Sequence, residues 1–254
     1  MISTLHSDSH SEMLIEAQGQ NLRSVLEKMK VPNFSRPTIL KFGIQLLDLL
    51  ETLHKNRFVH GDLKIENFVI GVNDPGKIYL IDFGLAHEYV SEQGVHIVRK
   101  NLKTFSGNFL FASLNSCRGY TKSRRDDIES LLYLVCYYLN NKYLPWCDLI
   151  RYHGVNDLKT LLRERLNSNS VKSLVRTLPS ELKQCLNHIL CLHFEEAPNY
   201  KMIRDNFYVL AARYINQEAP VKRVGYHNSI KLGPVHFEKK HAGYERELVD
   251  GYPL

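Results

Sequence analysis

The sequence predicts an α+β fold that is mainly α-helical and contains a few short strands. A wide apolar stripe with helical spacing runs through residues 38–57, which indicates one long amphipathic helix. Residues 123–141 are apolar enough to form a helix in the centre of the fold. Between these helices lie three short apolar segments separated by turn residues, a pattern typical of strands in small hairpins.

The N-terminal part of the chain predicts little regular structure. Residues 1–11 are polar and are expected to form a mobile N-terminus. The apolar stretch 13–17 is a candidate for a short strand. Residues 21–30 have the pattern of a helix, with Asn21 as its N-cap.

The middle of the chain combines short strands with a long irregular segment. Strands are predicted at 58–60, 67–71 and 77–83, and a Pro–Gly pair at 75–76 favours a chain reversal over 73–76. Residues 84–123 show no sustained periodicity. A loop of that length inside a compact domain is usually either functional or disordered.

Helices and then a tail are expected in the C-terminal part. Further helices are predicted at 156–167, 170–176, 179–193 and 199–213. Beyond these the helical pattern fades into a mixture of Gly, Pro and charged residues. We therefore expect the folded domain to cover residues 12–214 and an extended tail to cover residues 215–254.

The overall charge and the cysteines bear on partners and location. The net charge of +6 comes from Lys and Arg scattered among 27 acidic residues, which is a weak hint of an anionic ligand and does not indicate nucleic-acid binding. The longest apolar run, residues 131–139, is too short to span a membrane, which needs about 20 residues. The N-terminus has no signal-peptide pattern, and five cysteines without framework spacing predict reduced thiols and a cytoplasmic or nuclear location. The oligomeric state is left open.

A charged stretch carries the chemistry. In HGDLKIEN, residues 60–67, the polar residues Asp62, Lys64 and Asn67 alternate with apolar ones, so a loop can direct the polar side chains toward a cleft. Asp82 follows at the end of the next predicted strand, in IDFG. The oxygens of Asn67 and Asp82 suit a hard cation such as Mg²⁺. Asp62 can then accept a proton from a hydroxyl, and Lys64 can neutralise a transferring phosphoryl group.

These two stretches match the H-R-D-L-x-x-x-N and D-F-G signature of protein kinases. Together with SGNFLFASLN, the SRRDDIES helix and LHFEEAPNY, they make residues 12–212 resemble the casein kinase I family of serine/threonine protein kinases. The resemblance implies a protein-kinase-like fold, with a mainly α-helical C-terminal lobe, small β-hairpins and a truncated N-terminal lobe. The domain at 12–214 would then contain the hinge and the C-terminal lobe.

The resemblance also implies a role for each site residue. Asp62 would be the catalytic base and Lys64 the cation that neutralises phosphate, while Asn67 and Asp82 would bind Mg²⁺. The adenine of ATP would lie on Val69 and would meet the hinge backbone at Glu16 and Gln18.

Four further residues have implied roles outside the chemical step. Asp127 would hold the loop backbone near His60, and Phe83 would stack on His60 in the core. Arg124 and Arg125 would bind acidic or pre-phosphorylated protein substrates, or else lie on a solvated helix face.

The chain departs from the kinase pattern in three ways. No Gly-rich loop precedes Glu16, and no lysine stands before it to pair with the phosphates. Gly61 replaces the Arg of the usual motif, which pairs with a phosphate on the activation segment, so activation by such phosphorylation is not expected. Asn108 stands where a Thr usually contacts the catalytic Asp and Lys, and an Asn can still hydrogen-bond there.

Three explanations of the missing N-terminal elements remain open. The sequence is part of an active kinase, or it is a truncated inactive relative that acts as an interaction scaffold, or a partner completes the site. The first is the favoured hypothesis and the scaffold is the alternative function. In a truncated lobe, the apolar face around Ile15, Val69 and Phe83 is expected to be open to water.

Overall fold

The computed structural model describes residues 3–6, 11–14, 18–28, 34–153, 157–167 and 169–218. The helices and strands in these residues are β1 (Ser3–His6), β2 (Ser11–Leu14), α1 (Leu22–Lys28), α2 (Arg36–Lys55), β3 (Phe58–Val59), β4 (Phe68–Ile70), β5 (Ile78–Leu80), β6 (His87–Glu88), α3 (Leu114–Cys117), α4 (Arg124–Leu139), α5 (Cys147–His153), α6 (Leu158–Asn167), α7 (Ser170–Thr177), α8 (Ser180–Cys191) and α9 (Tyr200–Glu218). The predicted α+β fold, mainly helical with a few short strands, is confirmed.

The strands form three two-stranded antiparallel sheets, β1–β2, β3–β6 and β4–β5. In the first sheet Ser3 pairs with Leu14 and His6 with Ser11. The first regular structure in the described residues is thus a hairpin that includes residues on both sides of the predicted domain start at residue 12, which stays a prediction. Backbone pairing satisfies the N–H and C=O groups of these polar residues without any apolar side chain.

Helix α2 forms the centre of the core. Ser35 caps its N-terminus, since the Ser35 hydroxyl accepts the N–H of Thr38. The apolar face of α2 packs against α4 and α9. The three helices approach closely at Gly43, where an added Cβ would lie 2.9 Å from the ring of Phe207 on α9 and 3.1 Å from Val135 on α4. Helix α4 is buried on nearly all sides, which confirms its predicted central position.

Most predicted helices are present, and the differences lie at their ends and in short elements. Helix α9 continues to Glu218, five residues beyond its predicted end at 213, so its last residues lie in the segment predicted as the start of the tail. Residues 219–254 lie outside the described residues. Helices α3 and α5 were not predicted, since segments of four and seven residues are too short to show a helical period. No helix in the described part of the chain has both the length and the apolar character needed to cross a membrane.

Candidate active site

Asp127 anchors the start of the loop that contains Asp62. Its buried carboxylate, in the first turn of α4, accepts the backbone N–H of His60 at 2.7 Å and that of Gly61 at 2.9 Å. Burial by itself raises the pKa of Asp127. The hydrogen bond from His54, together with the imidazole and the backbone N–H of His60, outweighs burial and holds this pKa below its ordinary value. The predicted role of Asp127 in holding the loop is confirmed.

His54 on α2, which was not predicted as a site residue, extends this anchor. Its Nε2 lies 3.0 Å from Asp127 Oδ2, and its Nδ1 lies 2.7 Å from the hydroxyl of Tyr200 on α9. Because an ionised carboxylate only accepts, we assign the proton to Nε2, and Nδ1 accepts from Tyr200. Burial raises the pKa of Tyr200, so it stays a phenol that can donate. A histidine among apolar helix positions was the only signal in the sequence.

Lys64 brings two carboxylates together. Its Nζ donates to Asp62 Oδ2 at 2.8 Å and lies 3.6 Å from Asp82 Oδ2. The hydrogen bond with Asp62 raises the pKa of Lys64, against an opposing effect of burial and with a smaller contribution from the Asp82 charge. Asp62 Oδ1 is buried and has no hydrogen-bond partner among the residues that the structure describes. The site thus contains a cation between two acids and one carboxylate oxygen that can accept a further donor.

Asn67 is tied to the same loop and to the segment before Asp82. Its Nδ2 donates to the backbone carbonyl of Asp62 at 2.9 Å. The backbone carbonyl of Asn67 accepts the N–H of Ile81, also at 2.9 Å. Pairing of β4 with β5 therefore continues to the residue that precedes Asp82. The four predicted residues Asp62, Lys64, Asn67 and Asp82 are brought together by the fold.

The backbone at Asp82 has an uncommon conformation. Its φ is 65°, in the left-handed region, and its side chain is half-exposed. Non-glycine residues with such φ values cluster at functional sites. The ring of the next residue, Phe83, lies 5.2 Å from the His60 ring between centroids, which confirms the predicted contact. Phe83 is 39% exposed, so its predicted place in the core is wrong.

The oxygen donors of this cluster fit a hard divalent cation. The Asn67 amide and the Asp82 carboxylate are ligands of the kind that Mg²⁺ prefers. Within the described ranges, no group of three or more His, Cys, Asp or Glu side chains could hold a metal ion by itself. This is the composition expected where Mg²⁺ is shared with substrate phosphates and water.

The predicted adenine side of the site is described only in part. Residues 15–17, including Glu16, lie outside the described residues, so the role of Glu16 stays a prediction. The chain just after Gln18 pairs with β4, since Gly19 donates its N–H to Ile70 at 2.8 Å. Val69 is only 4% exposed, so the expected open apolar face is wrong at this residue.

Arg124 and Arg125 fasten the loop that follows α8. Arg124 donates to the carbonyl of Glu195, and Arg125 donates to the carbonyl of Leu192, both at 2.5 Å. Arg125 is buried, so the expectation of a solvated helix face is wrong for it. Each guanidinium uses one terminal nitrogen for this backbone hydrogen bond, and the binding of acidic or phosphorylated substrates by Arg124 and Arg125 stays a prediction.

The segment 108–118 is anchored on α4 by two acids. Ser113 donates to Asp126 at 2.6 Å, and the N–H of Leu114 donates to Glu129 at 2.8 Å. Burial raises the pKa of Glu129 from 4.5 to about 7, and the charge of Asp126 adds to the shift. The side-chain oxygen of Asn108 accepts the N–H groups of the next turn at 110 and 111, so it caps its own turn.

Arg165 on α6 supports the same segment from the other side. It is 1% exposed and donates to the carbonyls of Phe109 and Ala112. Its guanidinium lies 4.4 Å from the centre of the Trp146 ring, a distance at which cation–π attraction stabilises a buried cation. Nothing in the sequence pattern distinguishes this arginine from the exposed ones.

A pocket of about 180 Å³ opens where this segment meets α4 and α8. Its lining residues are mainly basic and aliphatic: Arg99, Leu114, Asn115, Arg118, Arg125, Glu129, Ile189 and Leu190. Three arginines against one acid give the pocket an excess of positive charge. Such a pocket favours an anionic group of small size.

Comparison with known families agrees with this arrangement. The model of the family described as protein kinase domain matches residues 1–209, which is 209 of the 254 residues. The match includes the β1–β2 hairpin, the cluster around Lys64 and helices α1 to α8.

Proposed function

This chain belongs to the protein kinase family, and from that premise we propose that it is a serine/threonine kinase of casein kinase I type. It transfers the γ-phosphoryl group of ATP to Ser or Thr hydroxyls of proteins. The observation that carries the proposal is the position of Lys64, within 2.8 Å of Asp62 and 3.6 Å of Asp82. Acids from two separate segments thus lie beside one lysine. Phosphoryl transfer depends on such positioning of charged groups and on stabilisation of the charge of the transferred phosphate.

Asp62 acts as the base in this proposal. Its Oδ2 is held by Lys64, while its Oδ1 has no donor among the described residues and is available to the incoming hydroxyl. The hydroxyl proton passes to Asp62 as the oxygen attacks the γ-phosphorus, and the bond from this phosphorus to ADP breaks so that ADP leaves. Lys64, whose pKa is raised, stays protonated and offsets the negative charge of the transferred group.

Asn67 and Asp82 hold Mg²⁺ in this proposal, and Gln18, Val69 and Glu16 contact the adenine of ATP. When bound, Mg²⁺ neutralises charge on the phosphates. Asn67 is oriented by its hydrogen bond to the Asp62 carbonyl, which links the metal-binding amide to the loop of the base. The half-exposed side chain of Asp82 leaves room for an ion beside it.

The substrate preference rests on the arginine pocket. We propose that it binds a phosphorylated or acidic residue of the protein substrate, because Arg118 is exposed at its edge and Arg99 lies beside it, stacked on Tyr120 at 3.8 Å. Replacing Arg118 by Ala should raise the KM for a phosphoserine-containing peptide about tenfold and leave that of its unphosphorylated form unchanged. Arg176→Ala, on the exposed face of α7, is the control.

The proposed location is cytoplasmic or nuclear. All five cysteines are free thiols, and three of them, Cys117, Cys136 and Cys185, are buried in the core. A reducing compartment keeps such thiols unpaired. Fractionation that places the protein in an oxidising compartment contradicts this proposal.

Nucleotide binding by the purified chain tests the site directly. We expect ATP with Mg²⁺ to raise the melting temperature, and we expect this shift to disappear in Asp82→Ala. Asp205→Ala, on the exposed part of α9, should keep the shift. A folded sample that does not respond to ATP with Mg²⁺ contradicts the proposed nucleotide site.

Catalysis is tested by Asp62→Asn with a panel of acidic and phosphorylated peptides. Loss of a general base should lower kcat by about 10²–10⁴-fold while the fold is kept. Glu66→Gln is a matched control, because Glu66 belongs to the same loop but its carboxylate pairs with Arg23 at 2.6 Å. Equal activity of Asp62→Asn and the parent rules out the assigned base.

A non-catalytic scaffold is the second candidate function. Phe83 and Leu85, next to the site, are each 39% exposed, and a partner protein could cover them. This function predicts a stable complex whose affinity does not change with ATP and Mg²⁺. Phosphate transfer by the parent, lost in Asp62→Asn, excludes it as the sole function.

A further inference from the structure

Lys122, just before α4, is a buried lysine whose ammonium bonds to two segments of the site. Its Nζ donates to the carbonyl of Gly61 at 2.6 Å, to the carbonyl of Ser106 at 2.8 Å and to the Ser106 hydroxyl at 3.1 Å. The residue is 8% exposed. All three donor positions of the ammonium are therefore used, and they join the loop of Asp62 to the middle of segment 84–123.

Gly61 and Lys122 fit each other sterically. Gly61 has a φ of +80°, and an added Cβ would lie 2.9 Å from the Leu85 carbonyl and 3.3 Å from Cδ of Lys122. Side chains longer than hydrogen are therefore excluded at position 61 by both backbone conformation and space. The space next to the loop is filled from the other segment, by the Lys122 side chain.

The surrounding charges show why a cation is stable there. Burial lowers the pKa of Lys122, and the charges of Asp127, Asp62 and Asp126 act against this shift. Gly107 completes the contact, since an added Cβ there would lie 3.0 Å from the Gly61 carbonyl and 3.4 Å from both Asp62 Oδ1 and Lys122 Nζ. The turn at 106–108 thus lies directly against the loop of the base.

We propose that Lys122 is a positioning residue, which ties segment 84–123 to the catalytic loop and so holds Asp62 in place without any phosphate. In kinases that are switched by phosphorylation, a phosphate on this segment orders it by pairing with an arginine. Here Gly61 occupies the position of that arginine. The cation instead belongs to segment 84–123, where the Lys122 ammonium donates to the Gly61 carbonyl of the catalytic loop. The proposal rests on the assignment of Asp62 as the base.

The decisive variant is Lys122→Met, which keeps the length of the side chain and removes its charge and donors. We expect kcat to fall about 10²-fold, since small misplacement of a reacting group costs about this much, while affinity for ATP with Mg²⁺ changes less than twofold. Lys122→Gln can donate to one carbonyl and should recover part of kcat. Lys172→Met, an exposed lysine on α7, is the matched control. Phosphatase treatment should leave the activity of the parent unchanged.

Hydrogen exchange of the purified chain tests the tie without any activity. In Lys122→Met, the amides of 60–64 and 104–108 should exchange faster, while those of α2 and α9 keep the parent rates. If Lys122→Met does not fold, Ser106→Ala removes one of the three acceptors, and it should accelerate exchange in 60–64 and lower kcat.

Three results overturn the proposal: parent values of kcat and exchange in Lys122→Met, a uniform loss of protection across the fold, or loss of parent activity after phosphatase treatment. A parent that transfers no phosphate contradicts the proposed function instead. In that case faster exchange confined to 60–64 and 104–108 still supports the tie.

Discussion

His54 on α2 and Asp127 on α4 share a buried hydrogen bond of 3.0 Å between Nε2 and Oδ2. The same carboxylate accepts the backbone N–H groups of His60 and Gly61. One acid therefore links the two central helices to the candidate catalytic loop. A disturbance of this acid should reach both stability and activity.

We expect Asp127→Asn to destabilise the protein by about 3 kcal/mol, because one carboxylate oxygen becomes an NH₂ group that faces a buried donor. Urea unfolding measures the change in free energy. Asp205→Asn is the control, since Asp205 pairs with Lys201 on the surface of α9, and this substitution should cost less than about 0.5 kcal/mol. Equal losses in the two variants contradict the anchoring role.

Gly61→Ala and Gly94→Ala form a pair that separates crowding from backbone strain. Both glycines have φ near +80°, so each substitution costs about 1 kcal/mol in strain. An added Cβ meets nothing within 4 Å at Gly94, but lies 2.9 Å from the Leu85 carbonyl at Gly61. Gly61→Ala should therefore be the more destabilising variant by about 1–3 kcal/mol and should lower kcat. Similar melting temperatures for the pair refute the close approach.

Gly43→Ala tests the packing of α2 on its neighbours. Alanine gains about 1 kcal/mol of helix propensity over glycine, but its Cβ would collide with the ring of Phe207, which is fully buried. Crowding should prevail, with a net loss of about 1–2 kcal/mol in unfolding free energy. Adding Val135→Ala, which removes the second close neighbour, should not restore stability if the Phe207 ring is the main obstacle. A more stable Gly43→Ala protein shows that the helices separate easily.

The pKa of Glu129 predicts a pH dependence of stability. Its value of about 7, above the ordinary 4.5, means that the folded state binds this proton more tightly than the unfolded state. Its stabilising contribution is present below about pH 4.5 and is lost as the pH rises through about 7, to a total of about 3 kcal/mol. Glu129→Gln should remove this loss, so the variant gains stability over the parent between pH 5 and pH 8.

The control for this titration is Glu92→Gln, whose carboxylate is 69% exposed. Its unfolding free energy relative to the parent should stay flat over the same pH range. Glu129→Gln and Glu92→Gln with parallel curves contradict a raised pKa at Glu129.

Much of the fold and of the candidate site follows from local sequence. The apolar residues of α2 and α4 recur with a helical period that is visible in the sequence. The Pro and Gly between β4 and β5 mark the turn between these strands. Asp62, Lys64 and Asn67 lie within one short motif, so their proximity is a property of the chain itself. Helix boundaries were less accurate: residues 215–217 at the end of α9 are exposed, so no buried face marks this last turn in the apolar pattern.

Other parts of the site could not be read from sequence because they join distant residues. Tyr200, His54 and Asp127 come from three helices, and their side chains meet only after those helices pack. Val69 was wrongly predicted to be exposed for the same reason, since the residues that cover it are brought there only by folding.

The sequence by itself determined the α+β class, the order of the main helices and the acids, lysine and amide of the candidate site. Those features depend on side-chain type and spacing within a few residues. Only the tertiary structure decided that Lys122 fills the space beside Gly61 and bonds to its carbonyl at 2.6 Å. The sequence does not distinguish a buried lysine from an exposed one. The packing around a buried lysine determines which acceptors its ammonium binds.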